Sequence, residues 1–227
     1  MKRPPSAAVI AVTALAAGLI AAGCGSKEAR PKPSGQKSAE AAVGAPAAVA
    51  ALLGGIPQHG RALGDPAAPV VVQFFGDLEC PYCRKFALGP LDTLISAYVR
   101  SGRLKLEYRS LETATHDPQT FEAQQVAALA AGRQNRMWNY IELFYREQRE
   151  EDSGYVTEGF LQGLAQQVGG LNLIAWTAER NDTALLNTIV ADARAASAAD
   201  LRTTPSFRFA ETRPAPYLAA IKKLLTG

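Results

Sequence analysis

One stretch constrains this chain more than any other. Val70-Val71-Val72-Gln73-Phe74-Phe75 is a continuous β-branched and aromatic run, bounded by Pro69 and by Gly76-Asp77, and Cys80-Pro81-Tyr82-Cys83 follows after a short loop. The run predicts a buried strand. Pro81 suits the first position of a helix, where its missing N–H costs nothing. Two thiols three positions apart share one face of a helical turn, so their Cβ atoms can approach within the roughly 3.5–4.5 Å that a disulfide requires. The unpaired N–H groups and positive dipole end of the helix stabilise a thiolate at Cys80 more than at Cys83, one turn further in. Cys80 is therefore the expected attacking nucleophile and Cys83 the buried resolving thiol. Pro81 and Tyr82, between them, tune the thiolate, and the Tyr82 ring is expected at the mouth of the site.

The remaining chemistry-bearing residues offer little competition. Zinc needs four ligands, whereas beside this thiol pair stand only isolated His59 and His116 at no ligand-like spacing, so no metal and no other cofactor is expected. Both histidines read as solvated loop residues. A purely structural disulfide between Cys80 and Cys83 would close so small a loop that it would restrain the unfolded chain little.

The third and last cysteine, Cys24, has a separate role. Lys2 and Arg3 precede an apolar run from Ala7 to Ala22, and Ala21-Ala22-Gly23 leads into Cys24. This is the layout of an export signal over 1–23, shorter than the roughly 20 apolar residues that span a bilayer comfortably. Ala-Ala-Gly-Cys resembles the lipobox of bacterial lipoproteins, with Ala21 where Leu is usual. That resemblance implies lipidation at Cys24, attachment to the membrane through that anchor, and an extracytoplasmic location where disulfides persist. Residues 24–53 are expected to be the lipidated N-terminus and a flexible tether, with a short helix from Ala47 to Leu53. Of the 24 basic residues, Lys2 and Arg3 belong to the signal, which leaves the rest nearly balanced by the 21 acidic ones. With no basic stripe interleaved with aromatics, nucleic acid is not an expected partner.

Residues 54–227 are expected to form one domain. After the first strand and a helix to about Arg100, with Pro90 kinking it, Arg103–Ser110 alternates as a second strand. Helical patterns then fill about 117–200, with Trp138 and Trp176 as core anchors. A strand Ser206–Ala210 and a last helix Pro216–Leu225 close the chain. The expected class is α/β: a thioredoxin-like fold with a large inserted helical lobe between the second and third core strands.

Three stretches carry a family resemblance: Leu63-Gly64-Asp65-Pro66-Ala67-Ala68-Pro69-Val70, Cys80-Pro81-Tyr82-Cys83, and Thr204-Pro205-Ser206-Phe207. With them, the chain from about Gly54 to Leu225 resembles the DsbA-like branch of the thioredoxin superfamily. The resemblance implies that Pro205 is cis and faces the cysteines, and that Thr204 offers its backbone to an extended substrate segment. It also implies exported thiol-containing proteins as substrates and a redox partner in the membrane that recycles the pair. It and the compartment favour an oxidase over a reductase; no added dimerisation domain argues for an isomerase. A tethered peptide-binding or holdase module is the competing reading, against which the intact Cys-Pro-Tyr-Cys speaks.

The chain departs from the family pattern twice. A buried acid six residues before the first cysteine is usual, but Phe74 occupies that position, and the nearest acids, Asp77 and Glu79, are expected on the loop in water. A β-hairpin normally follows the cis-Pro strand. Only Glu211-Thr212-Arg213 separates Ala210 from Pro214, so the fourth core strand is expected to be very short or absent.

Overall fold

A computed structural model describes residues 44–226. The signal 1–23, Cys24 and the tether up to residue 43 lie outside the described residues.

The folded unit takes in residues before Gly54. Helix α1, Ala45–Leu53, buries Val49 and Leu53, and it packs on the helix Met137–Glu147. Positions four apart share a helical face, so these two apolar side chains dock the segment that was expected to be the end of the tether.

Next come two-residue strands β1 (Gln58–His59) and β2 (Ala62–Leu63), then β3 (Val70–Gly76), β4 (Leu104–Ser110) and β5 (Ser206–Glu211). The sheet order is β1-β2-β4-β3-β5. β3 pairs in parallel with β4 and antiparallel with β5. On the far side of β4, β2 pairs antiparallel and joins β1. β3 has neighbours on both sides, and Val70, Val72, Phe74 and Phe75 are fully covered, which accounts for a run whose one polar residue is the half-buried Gln73. β4 alternates, burying Leu104, Leu106, Tyr108 and Ser110, as a strand with period two requires.

Helix α2 (Pro81–Phe86) leads into a wider π-turn at Ala87–Leu91, a single turn α3 (Asp92–Leu94) and a second π-turn at Ile95–Val99. Pro90 lies in the first π-turn, and Leu88 leaves helical geometry there at φ −87°, ψ 20°. The missing N–H and the ring clash of proline account for the break.

The helical lobe between β4 and β5 comprises α4 (Pro118–Arg133), α5 (Met137–Glu147), α6 (Glu158–Gln167), α7 (Leu173–Glu179) and α8 (Thr183–Ala198). Asp117, Thr157, Asn172 and Asp182 cap α4, α6, α7 and α8 by accepting backbone N–H bonds, which removes orphan donors from the first turns. Trp138 and Trp176 are buried, and their indole N–H groups donate to the carbonyls of Arg61 and Ala127. Asp192 of α8 clamps the lobe to the sheet. It accepts from Arg61, Arg109, and both the N–H and hydroxyl of Ser110.

Among the described residues no strand follows β5, so this strand is one edge of the sheet. The chain runs on directly into α9, Leu218–Thr226.

Candidate active site

The thiols lie where the strand-to-helix reading puts them. β3 ends at Gly76, and Cys80 is the N-cap residue of α2, with extended backbone (φ −66°, ψ 120°) and Pro81 as the first helical residue. The Cys80 sulfur accepts the backbone N–H of Cys83 at 3.3 Å. Both cysteines are free. Cys83 is fully buried and Cys80 is 4% exposed, while Tyr82 between them projects with 71% of its surface in solvent.

The two sulfurs differ sharply in acidity. The Cys83 thiol, hydrogen-bonding to the Cys80 sulfur, is the largest influence lowering the latter. Burial opposes it, while the Thr204 side chain and the backbone N–H groups of Cys83 and Tyr82 add to it, so that Cys80 falls to about 6. The helix-end N–H groups, expected to favour the thiolate at Cys80 over Cys83, contribute less than the partner thiol. Burial pushes Cys83 well above the ordinary thiol range, and its bond and charge interaction with Cys80 raise it further. One thiol is prepared to ionise near neutral pH and the other to hold its proton.

The Thr204–Pro205 peptide bond is cis, as the resemblance implies. It lies against the cysteines: the Cys80 thiol donates to the Thr204 carbonyl at 3.4 Å. The pairing of β5 with β3, in which Ser206 faces Phe75 and Phe207 faces Phe74, brings these distant segments together.

Phe74, in the position of the usual acid, is fully buried. Its ring meets Phe86, Tyr108 and Phe207 at centroid distances of 4.9, 5.4 and 5.7 Å. An aromatic cluster therefore occupies the place of a carboxylate, with edge and stacked contacts that reinforce simple burial.

Asp77 and Glu79 overturn the expectation that both sit in water: they are 0% and 1% exposed. One oxygen of Asp77 accepts the backbone N–H groups of Thr113, Ala114 and Thr115 at 3.0, 2.8 and 3.0 Å. The other accepts the N–H of Glu79 and the Thr115 hydroxyl at 3.1 and 2.7 Å. A nest of backbone N–H groups replaces the water that the carboxylate gives up. Burial pushes the Glu79 carboxyl up, with the Thr115 side chain working against it.

Other neighbours had no signal in the sequence. Gln148 donates to the carbonyls of Leu78 and Cys80 at 2.6 and 3.1 Å. The Tyr108 and Tyr145 hydroxyls donate to the carbonyls of Gly76 and Asp77. Arg84 of α2 donates to the Tyr145 carbonyl at 2.9 Å. A single Gln or Tyr reads as an ordinary residue of its helix or strand; the end of α5 lying beside the loop 77–80 gives Tyr145 and Gln148 their partners, and the pairing of β4 with β3 gives Tyr108 its own. His59 and His116 are exposed, and His116 pairs with Asp152. Among the described residues no three or more His, Cys, Asp or Glu side chains are grouped to hold a metal ion.

A family model described as thioredoxin matches residues 57–221. Two relatives are called "Probable disulfide bond formation protein D": that of Bacillus anthracis is 26% identical over 107 residues, 47% of this chain and 49% of the relative. That of Bacillus cereus is 25% identical over the same extent. The chain thus spans about half the length of these relatives. Among solved structures, oxidised BdbD of Bacillus subtilis superposes with a TM-score of 0.61 at 19% identity, covering 76% of this chain and 98% of that one. Wolbachia pipientis alpha-DsbA1 gives 0.58 at 18% identity, covering 72% and 89%. With the matched segment running from before β1 into α9, the chain belongs to the thioredoxin family and has the fold of its DsbA-like members.

Proposed function

We propose that this protein is a thiol–disulfide oxidoreductase that forms or exchanges disulfides in exported proteins, with Cys80 and Cys83 as its redox pair. The observation that carries the reading is the contrast between two thiols on one helical turn, one lowered to about 6 and facing the cis-Pro loop, the other buried and raised. The relatives called disulfide bond formation proteins support it.

In the oxidising direction, a substrate thiolate attacks Cys80 Sγ of the Cys80–Cys83 disulfide. The S–S bond breaks, its electron pair leaves on Cys83, which takes up a proton, and a mixed disulfide remains at Cys80. A second substrate thiolate attacks the substrate sulfur of that bond, and Cys80 departs as a thiolate. Two electrons have passed to the cysteine pair and the substrate carries a new disulfide. A leaving thiol of low pKa speeds the second step, and stabilising its thiolate favours the reduced protein, which makes the disulfide a stronger oxidant. This favours oxidase over reductase. Thr204 pairs its backbone with the substrate segment beside Pro205, Tyr82 contacts substrate at the rim, and Pro81 sets the start of the helix. Lipidation at Cys24 would hold the domain at the outer face of a membrane, within reach of a redox partner there that reoxidises the pair.

The test is the reduction potential of the purified protein equilibrated against glutathione couples. A value near about −120 mV supports an oxidase and one near about −270 mV a reductase. Absence of any reversible two-electron couple would sink the enzyme reading and leave a tethered peptide-binding module.

A further inference from the structure

Four hydrogen bonds close a ring through three distant segments of chain. The Asp77 carbonyl accepts the Cys80 N–H at 3.2 Å. The Cys80 thiol donates to the Thr204 carbonyl at 3.4 Å. The Thr204 hydroxyl is bonded to the Thr113 hydroxyl. The Thr113 N–H returns to the Asp77 carboxylate at 3.0 Å. The segments are the loop leaving β3, the turn 112–116 after β4, and the cis-Pro loop before β5. The pairing of β3 with β4 and β5 brings both segments to the same end of β3, at Gly76–Ser110 and Phe75–Ser206; the contact between the two hydroxyls is what joins the turn to the cis-Pro loop directly.

We propose that Asp77 is a positioning residue of the redox site, holding the turn at Thr113–Thr115 so that Thr113 fixes Thr204 against the Cys80 sulfur. The inference rests on the redox reading of Cys80 and Cys83 and adds to it a residue that touches neither sulfur through its side chain.

The chemistry of the carboxylate suits this task. Its two oxygens face six donors: four backbone N–H groups, the Thr115 hydroxyl and, at 3.5 Å, the Gln124 amide. An acceptor so occupied is an anchor for the turn. Every backbone partner is a donor, so an Asn amide, whichever way it is turned, would set its own N–H₂ against at least one backbone N–H group. A buried carboxylate commits the turn to one geometry because releasing any of those donors would leave it unsatisfied. With the Thr204 carbonyl already against the sulfur, the Thr204 side chain bears on its ionised state. Once Cys80 is a thiolate it has no proton to give the Thr204 carbonyl, and the Thr204 side chain is among the groups that lower its pKa. For Thr204 to donate to sulfur, the bond between the two hydroxyls must run from Thr113 to Thr204. Thr113 therefore sets the direction of the hydroxyl chain, and Asp77 sets Thr113.

The experiment compares reduced full-length Asp77→Asn, Thr113→Val, Thr113→Ser and the double variant Asp77→Asn/Thr113→Val, reading Cys80 ionisation from ultraviolet thiolate absorbance against a Cys80→Ser baseline. Thr113→Val removes only the hydroxyl and leaves the Asp77 nest in place, so it reports on the ring even where Asp77→Asn folds poorly. Both single losses are expected to leave roughly tenfold less Cys80 thiolate at about pH 5. Thr113→Ser should match the unchanged protein. The double variant should lose little more than either single one, since the two act through one contact. More thiolate in Asp77→Asn with no change in Thr113→Val would show that Asp77 acts only as a nearby negative charge and would overturn the proposal. Unchanged ionisation in all variants of a protein that still shows a reversible couple would overturn it too, leaving the redox reading intact. Absence of a couple in the unchanged protein would instead remove the reading on which it rests.

Discussion

Because the Cys80 thiol is lowered from 9.0 to about 6 in the folded protein, the stability of the reduced state must depend on pH. A group depressed on folding contributes stability that is complete above its unfolded value and lost as pH falls through its folded value. For Cys80 the window therefore runs from about pH 9 down to about pH 6. Integrating the linkage relation across it gives a contribution of about 3.7 kcal/mol at pH 9, about 1.4 kcal/mol at pH 7 and close to zero at pH 5. Cys83 opposes this at high pH, because its thiol is raised on folding. A Cys80→Ser chain retains Cys83, so subtracting its stability removes that contribution to first order. The assay is urea unfolding of both proteins, kept reduced with a phosphine, at several pH values across the window. The difference in unfolding free energy should grow by about 2 kcal/mol between pH 7 and pH 9. A difference that stays flat across this range would refute the argument that hydrogen bonds from Cys83, Thr204 and the helix end stabilise a thiolate at Cys80.

Two further outcomes follow from side chains away from the sulfurs or at their rim. Asp192→Asn leaves Arg61 and Arg109 without their shared, almost fully buried carboxylate; it should cost about 3 kcal/mol. For a chain of this size that is a drop of roughly 6–12 °C in Tm, measurable by calorimetry, and a drop below about 2 °C would show that α8 is not clamped to β4 in this way. Tyr82→Ala should change stability by less than about 0.5 kcal/mol, since most of the ring is in solvent, yet lower kcat/KM for oxidation of a dithiol peptide. Unaltered kcat/KM would remove Tyr82 from the substrate surface.

What could be read in the sequence was local. The apolar run at 70–75, the Pro81 helix start and the three-residue spacing of Cys80 and Cys83 each depend on neighbours a turn or a strand away. The element order and the thiol asymmetry were therefore legible, and so were the helical filling of about 117–200 and the break at Pro90. The cis bond before Pro205 was accessible only through the family resemblance, because Thr-Pro alone signals no more than a turn. The tertiary structure decided where the charges went. Asp77 and Glu79 sit in a stretch with every mark of a solvated loop, and a carboxylate in such a segment belongs in water unless something replaces it. What replaces water at Asp77 is a row of N–H groups from residues 113–115, placed there by the parallel pairing of β3 with β4. Likewise the hairpin β1–β2 was invisible, since strands of two residues have no period, and it exists because the edge of β4 offers Leu63 a partner. Burial of an apolar side chain can be inferred from its own chemistry; burial of a polar one depends on partners that only the assembled fold brings within reach.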